Sequence, residues 1–359
     1  MVEQKKYFAD VAVPPGDTLK ELLEVNNMTQ AELANRIDMS NKHINQIIKG
    51  KTSLTPETAL KLEKIFDPPA SFWLNLEANF QAAEARLKDK GKKSEQNIAK
   101  KIPYSEMEKL SWVEKTDSLR QKIDNLRNFF RVSNLNAIGT VYEAAYRTSK
   151  PDKINPLALA AWLERGEFLA RDIEVNNFSK EKLKSYIPHL REMTTQEPSE
   201  FYNKIKDKLA ECGIAFVIVP YLSGTYAQGS VKWLAPNKVM LQMSLRYKYA
   251  DIFWFSFFHE IGHIMLHSKK ETYIEFDLED REDIEEEADK FAAKVLIPKK
   301  EYNYFIEKGN FSRRAIKEFA SSLKIDPGIV VGRLQFEGKI GYDKLNGLKT
   351  KYNLALFTE

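Results

Sequence analysis

Two histidines stand four residues apart in His259-Glu260-Ile261-Gly262-His263, and His267 follows after another four. On a helix, residues i and i+4 project from one face a turn apart, so His259 and His263 can grip a single metal ion. Glu260 then lies beside that ion, where it can take a proton from a water. This is metal-assisted hydrolysis. Zn2+ lowers the pKa of a water to about 7 and polarises a scissile carbonyl, and Glu260 passes the proton to the leaving amine. Three of the five histidines fall within nine residues, inside the aromatic run 253–267. A purely structural helix would bury an ionisable Glu–His pair there without compensation, which is costly. The metal site is therefore the preferred expectation.

A hydrolytic zinc site needs a third protein ligand and an open position. The next helical stretch offers Glu285, Glu286, Glu287 and Asp289. Glu285 and Asp289 are four apart and share a face, so one carboxylate can ligate while the other accepts the outer N–H of a ligand histidine. Glu287 is the fallback ligand. His267 shares the histidine face but sits a full turn beyond, which assigns it to the core or to hydrogen bonds around the ligands. The oxyanion of a tetrahedral intermediate also needs a donor; Tyr247, Tyr226 and Arg246 are the candidates, with Tyr247 carried forward.

These groups need a scaffold. The β-branched run 213–220 predicts a buried strand, and 230–234 and 238–245 alternate as further strands feeding a helix over 249–266. A second helix is predicted over 283–296, with a helical tail near 299–307 and 311–323. Upstream, helices are expected near 104–115, 117–131, 138–147, 155–171, 179–192 and 198–212. Trp162, Leu163, Phe168 and Leu169 are expected in the core, and His189 is assigned a structural role. The fold class is α+β, mostly helical.

The first eighty-odd residues read as five short helices. Asp17 or Thr18 is expected to cap the first, Thr29 the second, with Glu32 in capping-box register, and Ser40 the third. Pro56 opens the fourth, and a fifth begins after Pro69. Two helices joined by the Asp38-Met39-Ser40 turn form a helix-turn-helix arrangement. Ile44, Ile47 and Ile48 point inward, leaving Asn41, Lys42, His43, Asn45, Gln46 and Lys49 outside, rich in donors and acceptors for base edges. Lys51 follows. The region as a whole is slightly acidic, which favours a focused contact over broad electrostatic attraction.

Composition sets the outer limits. A chain of 359 residues with 43% hydrophobic and 30% charged content is an ordinary globular protein of two or three domains. The start lacks an apolar signal core, and no apolar run is long enough to span a bilayer. The single cysteine, Cys212, excludes an intrachain disulfide and a cysteine-based zinc cluster. A cytoplasmic, membrane-free protein is expected. Six lysines crowd 88–101 and ten acidic residues crowd 271–287; both runs are expected as solvated loops or linkers. The expected organisation is a DNA-binding domain over 1–87, a basic linker over 88–103, a helical connecting region over 104–200 and a metallopeptidase domain over 201–359.

Two resemblances refine this. Residues 15–87 contain Pro-Gly-Asp-Thr-Leu-Lys-Glu-Leu-Leu, Met-Thr-Gln-Ala-Glu-Leu-Ala, Ile-Asn-Gln-Ile-Ile-Lys-Gly-Lys, Leu-Thr-Pro-Glu-Thr-Ala-Leu and Ser-Phe-Trp-Leu-Asn-Leu-Glu-Ala-Asn-Phe. In order and spacing this resembles the HigA-type antitoxin branch of the lambda-repressor-like helix-turn-helix family. The resemblance implies binding to double-stranded operator DNA through Ser40 and the helix 41–49, phosphate contacts near Gln30 and Lys51, and a homodimer. Residues 244–248, 253–267 and 285–298 resemble the ImmA/IrrE family of zinc metallopeptidase-like proteins, and the two-helix site resembles the gluzincins. That resemblance implies Glu285 as the third ligand and Asp289 as the partner of a ligand histidine. It also implies a protein substrate such as a repressor or a toxin–antitoxin-type partner. The alternative it leaves is a sensor or toxin clamp that binds without cleaving.

Overall fold

The computed structural model describes residues 12–88, 93–141, 154–267, 273–276 and 283–353. The chain divides into two compact units, Met1–Lys92 and Lys93–Glu359. Among the described residues no helix is long and apolar enough to cross a membrane.

The first unit holds five helices: α1 (Pro15–Val25), α2 (Gln30–Arg36), α3 (Asn41–Ile48), α4 (Pro56–Glu63) and α5 (Ala70–Lys88). Thr29, Ser40 and Thr55 cap α2, α3 and α4 as their residue types predict, each hydroxyl accepting from a backbone N–H three residues on. The start of α1 differs from expectation. It begins at Pro15 with Pro14 as the extended cap residue, not after Asp17 or Thr18. Proline at the first helical position has no N–H to leave unsatisfied and a preset φ, so no side-chain cap is required. Leu19, Leu33, Ile44, Ile47, Leu62 and Trp73 close one core.

The second unit starts earlier than the expected domain boundary. Residues 93–101 form a helix, α6 (Lys93–Lys101), inside the stretch assigned to a linker. The reason is Glu95, which is fully buried. Its carboxylate accepts from Arg127 at 2.7 and 3.0 Å and from the Leu135 N–H at 2.9 Å. A buried bidentate pair of this kind anchors a segment that charge counting assigns to solvent. The following helices are α7 (Tyr104–Lys109), α8 (Leu119–Phe130), α9 (Ile138–Val141), α10 (Pro156–Arg171), α11 (Lys180–Glu192) and α12 (Pro198–Glu211). The 104–115 helix thus stops at Lys109, and most of the expected 138–147 helix lies outside the described residues.

The sheet has the order β1-β3-β2-β4, with β1 (Ile214–Ile218), β2 (Ala227–Ala235), β3 (Lys238–Met243) and β4 (Tyr273–Phe276). β1 runs parallel to β3, while β2 is antiparallel to both β3 and β4. Both faces are covered. Ile214, Phe216 and Ile218 face the core that holds the histidine helix α13 (Ala250–Leu266), and Ala215, Val217 and Val219 face the core built around Trp162. This period-two division explains the continuous apolar run. It also explains why the expected boundary near residue 200 falls inside one unit: the upstream helices bury one face of the same sheet. Phe168, expected in the core, is 43% exposed, whereas Trp162 and Leu163 on the same helix are buried.

The second unit continues with α14 (Asp283–Leu296), α15 (Lys299–Glu307), α16 (Arg313–Leu323) and α17 (Pro327–Phe336). The closing segment fastens the start of α13. Ala250 N–H donates to Thr350 O at 2.9 Å, Tyr352 N–H to Lys248 O at 2.6 Å, and Trp254 Nε1 to the Tyr352 hydroxyl at 3.0 Å. Partly buried Lys349 pairs with buried Asp251 at 2.7 Å. The first turn of α13 is therefore held by the closing segment through backbone, side-chain and ion-pair contacts.

Candidate metal centre and helix-turn-helix face

α13 is apolar nearly all round because it is central, with the sheet on one side and α14 and α17 on others. Its approach to α14 depends on small residues. A Cβ on Gly262 would lie 3.1 Å from Ala288 Cα and 3.3 Å from the Phe291 ring, so the two helix backbones pass closely only with glycine and alanine there. That approach carries Glu285 and Asp289, which share a face of α14, to His259 and His263.

Three donor groups converge. His259 Nε2 lies 2.9 Å from His263 Nε2 and 3.0 Å from Glu285 Oε2, and His263 Nε2 lies 3.4 Å from Glu285 Oε1. All three ligand atoms fall within 4.8 Å of one another, and this is the group among the described residues able to hold a metal ion. Asp289 Oδ1 sits 2.9 Å from His259 Nδ1. A carboxylate accepts there, which puts the proton on Nδ1 and leaves the Nε2 lone pair facing the shared centre. Burial holds the His263 pKa below the ordinary imidazole value despite the neighbouring Glu285, so its ring is neutral and able to ligate. Burial pushes Glu285 up, but contacts to His259 and His263 outweigh it and hold the carboxyl down to about 2. Two imidazole nitrogens and one ionised carboxylate suit a divalent zinc ion.

The other expected residues separate by place. Glu260 is fully buried and turns toward the sheet: a Cβ on Gly229 of β2 would lie 2.7 and 2.8 Å from Glu260 Cγ and Cδ. Gly229 pairs on its other side with Glu275 of β4. Ser256, one turn before Glu260, meets Gln228 at 3.0 Å. His267 is near the Ile284 carbonyl, 3.1 Å from Nε2, and Glu287 is 3.8 Å from its Nδ1. Neither belongs to the converging group. Tyr247 lies on the connection into α13, 37% exposed, with its ring 4.7 Å from the Arg246 guanidinium, which also stacks on Tyr226 at 4.5 Å.

Sequence reasoning did not single out Gly229, Gly262 or β4. An isolated glycine in a strand is a known mark of close approach, so Gly229 carried a signal. The short aromatic and β-branched quartet 273–276 carried one too, hidden by the acidic residues around it.

In the first unit, Ser40 Oγ accepts from the His43 N–H at 3.2 Å. Asn41, Lys42, Lys49 and Lys51 are exposed, Gln30, His43, Asn45 and Gln46 are partly exposed, and Ile44 and Ile47 are buried. The expected inward and outward faces of α3 are the observed ones.

Comparison with known proteins agrees with this division. Residues 6–71 match the helix-turn-helix family profile, and residues 250–334 match the IrrE N-terminal-like domain. The HTH-type transcriptional regulator YddM of Escherichia coli is 34% identical over 71 residues, covering 20% of this chain and 76% of that protein. Virulence-associated protein A of Dichelobacter nodosus is 38% identical over 68 residues, covering 18% of this chain and 67% of that protein. Among solved structures, the Pseudomonas aeruginosa antitoxin HigA with the higBA promoter is 28% identical. It covers 22% of this chain and 87% of its own, with a TM-score of 0.22. The likeness of this chain's N-terminal stretch to about three quarters of YddM places the chain in the helix-turn-helix regulator family, and an IrrE N-terminal-like domain follows it in sequence.

Proposed function

We propose that this chain is a DNA-binding transcriptional regulator whose second unit is a zinc-dependent endopeptidase acting on a protein partner of the repressor or toxin–antitoxin type. The observation that carries the peptidase half is the convergence of His259, His263 and Glu285 on one point, with Asp289 on the outer nitrogen of His259. When bound, zinc supplies Lewis acidity toward a carbonyl and a water. Glu260, buried beside the ligand histidines, takes the proton from the water and delivers it to the leaving amine. Asp289 keeps His259 in one tautomer and orientation. Tyr247, on the connection into α13, is the proposed oxyanion donor, and His267 supports α14 through the Ile284 carbonyl.

For the DNA half, the exposed side of α3 supports the reading. Asn41, Lys42, His43, Asn45, Gln46 and Lys49 meet base edges in the major groove, and Ser40, Gln30 and Lys51 meet phosphates. The operator is double-stranded and two-fold symmetric, read by a homodimer in the cytoplasm.

One observation favours a second reading, in which the unit binds or senses a partner without cleaving it. The β2 edge beside Glu260 is already paired with β4. Zinc analysis of the wild type and Glu260→Gln separates the two. Stoichiometric zinc in both, with partner cleavage only in the wild type, supports the peptidase. Absence of zinc from the wild type defeats the peptidase reading, and zinc in both proteins with equal regulation by the two leaves the sensor. Gln46→Ala and Lys42→Ala should each weaken binding to the chain's own promoter, and unchanged affinity in both would remove α3 from base readout.

A further inference from the structure

We propose that the face formed by Arg131, Arg165 and Phe168 is a docking site for a protein segment that presents a carboxylate beside an apolar side chain. The site is far in sequence from the histidine helix and does not depend on catalysis.

Arg165 is the central observation. It lies on α10 between Glu164 and Glu167, yet each glutamate is engaged by other cations: Glu164 by Arg131, 3.9 Å away, and Glu167 by Lys232 and Arg171. The Arg165 guanidinium instead lies over two rings, 5.9 Å from the Trp112 centroid and 5.2 Å from Phe168. Among the described residues it has no ion pair and no hydrogen bond. Its planar donors are thereby oriented by aromatic faces while their hydrogen-bonding capacity toward an anion is unused. Burial without a compensating anion lowers its pKa from the ordinary 12.5.

Two further features converge on the same place. Phe168 is 43% exposed on an otherwise well-buried helix, and a second cation, Arg131, lies over its ring at 5.7 Å. Arg131 takes a left-handed backbone conformation, φ 53°, at the C-terminus of α8, where glycine or asparagine is the low-strain choice. The non-glycine residue at that position is one whose side chain reaches Phe168. Glu164 and Glu167 are buried while Arg131 is exposed, so around Phe168 the face offers positive charge to solvent. Arginine and large aromatics on one face are the composition of a protein-binding anchor. A nucleic-acid strand fits less well: exposed Glu114 and Asp117 follow Trp112, and Asp172 and Glu174 follow Arg171, against a continuous polyphosphate.

The test uses the full chain and a fluorescein-labelled peptide of alternating Glu and Leu, followed by anisotropy. Saturable binding is expected, weakened about tenfold by Arg165→Gln and by Arg131→Gln, with Phe168→Ser weakening it as well. Arg165→Lys, which keeps the charge but not the planar fork, should fall between. A Gln/Leu peptide should not bind. Arg131 is surface-exposed, so its variant keeps the test valid even where Arg165→Gln loosens the Trp112 contact; melting curves establish folding for each. Equal affinity of the wild type and Arg131→Gln for the peptide overturns the proposal, as does binding of a labelled oligothymidylate that Arg131→Gln weakens more than it weakens peptide binding.

Discussion

Replacing Gly229 with alanine tests whether β2 sets the position of the Glu260 carboxylate. The added methyl would fall 2.7 Å from Glu260 Cγ and 2.8 Å from Cδ, far inside contact distance, and Glu260 has no exposed surface into which to move. Overpacking of a filled site costs about 1–3 kcal/mol. Removing glycine from a strand returns about 0.5–1 kcal/mol through the unfolded chain. The net expectation is a loss of about 1–2 kcal/mol, or roughly 3–6 °C in the melting temperature of a unit this size. Zinc content should stay that of the wild type, because His259, His263 and Glu285 are carried by α13 and α14 and none of them by β2. The decisive comparison is a double-mutant cycle with Glu260→Ala. With the side chain gone, the methyl has room, so Gly229→Ala should cost nothing or stabilise slightly in that background. An equal loss in both backgrounds would falsify the claim that the collision is with Glu260.

Three other outcomes follow from the geometry. Burial pushes Asp326 up to about 6 from its ordinary 3.8, an effect that outweighs its contacts to the Gly328 N–H and Thr350. The folded state therefore holds that proton more tightly than the unfolded chain, and stability falls by up to about 3 kcal/mol as pH rises from 3.8 to 6. Asp326→Asn keeps the cap oxygen, so it should melt higher than the wild type at pH 7, with the difference disappearing below about pH 4; a variant that melts lower at pH 7 removes this account. Glu95→Gln removes the fully buried carboxylate that pairs with partly buried Arg127 and should cost about 3–5 kcal/mol in denaturant unfolding, whereas a linker residue would cost almost nothing. Ser40→Ala removes the α3 cap and should cost about 1 kcal/mol, with Ser40→Asn close to wild type, measured by melting of the first unit's transition.

Much of the scaffold was readable in the residues. Thr29, Ser40 and Thr55 cap where hydroxyl types precede apolar periodicity, and α14 spans the expected 283–296. Local signals sufficed there, because capping and periodicity act within one or two turns. Expectation and structure parted where a distant residue decides. Lys93–Lys101 is helical because Arg127 and the Leu135 N–H meet Glu95 more than thirty residues away. Phe168 is exposed although its helix is apolar, because Trp162 and Leu163 already fill the buried face and Arg131 and Arg165 stack on what remains.

The histidine motif shows the same division. Sequence alone determines that His259 and His263 share a helical face with Glu260 between them, since that follows from 3.6 residues per turn. It also puts Glu285 and Asp289 on one face of another helix. Only the tertiary structure brings those faces together, through the close passage of Gly262 over Ala288, and only it brings Glu285 rather than Glu287 beside both histidines and puts Asp289 on the outer nitrogen of His259. The position of Glu260 against Gly229 likewise depends on the sheet order that puts β2 beside α13. Spacing along one helix is local geometry; the distance between two helices and a strand is set by packing, which the linear order of residues does not carry.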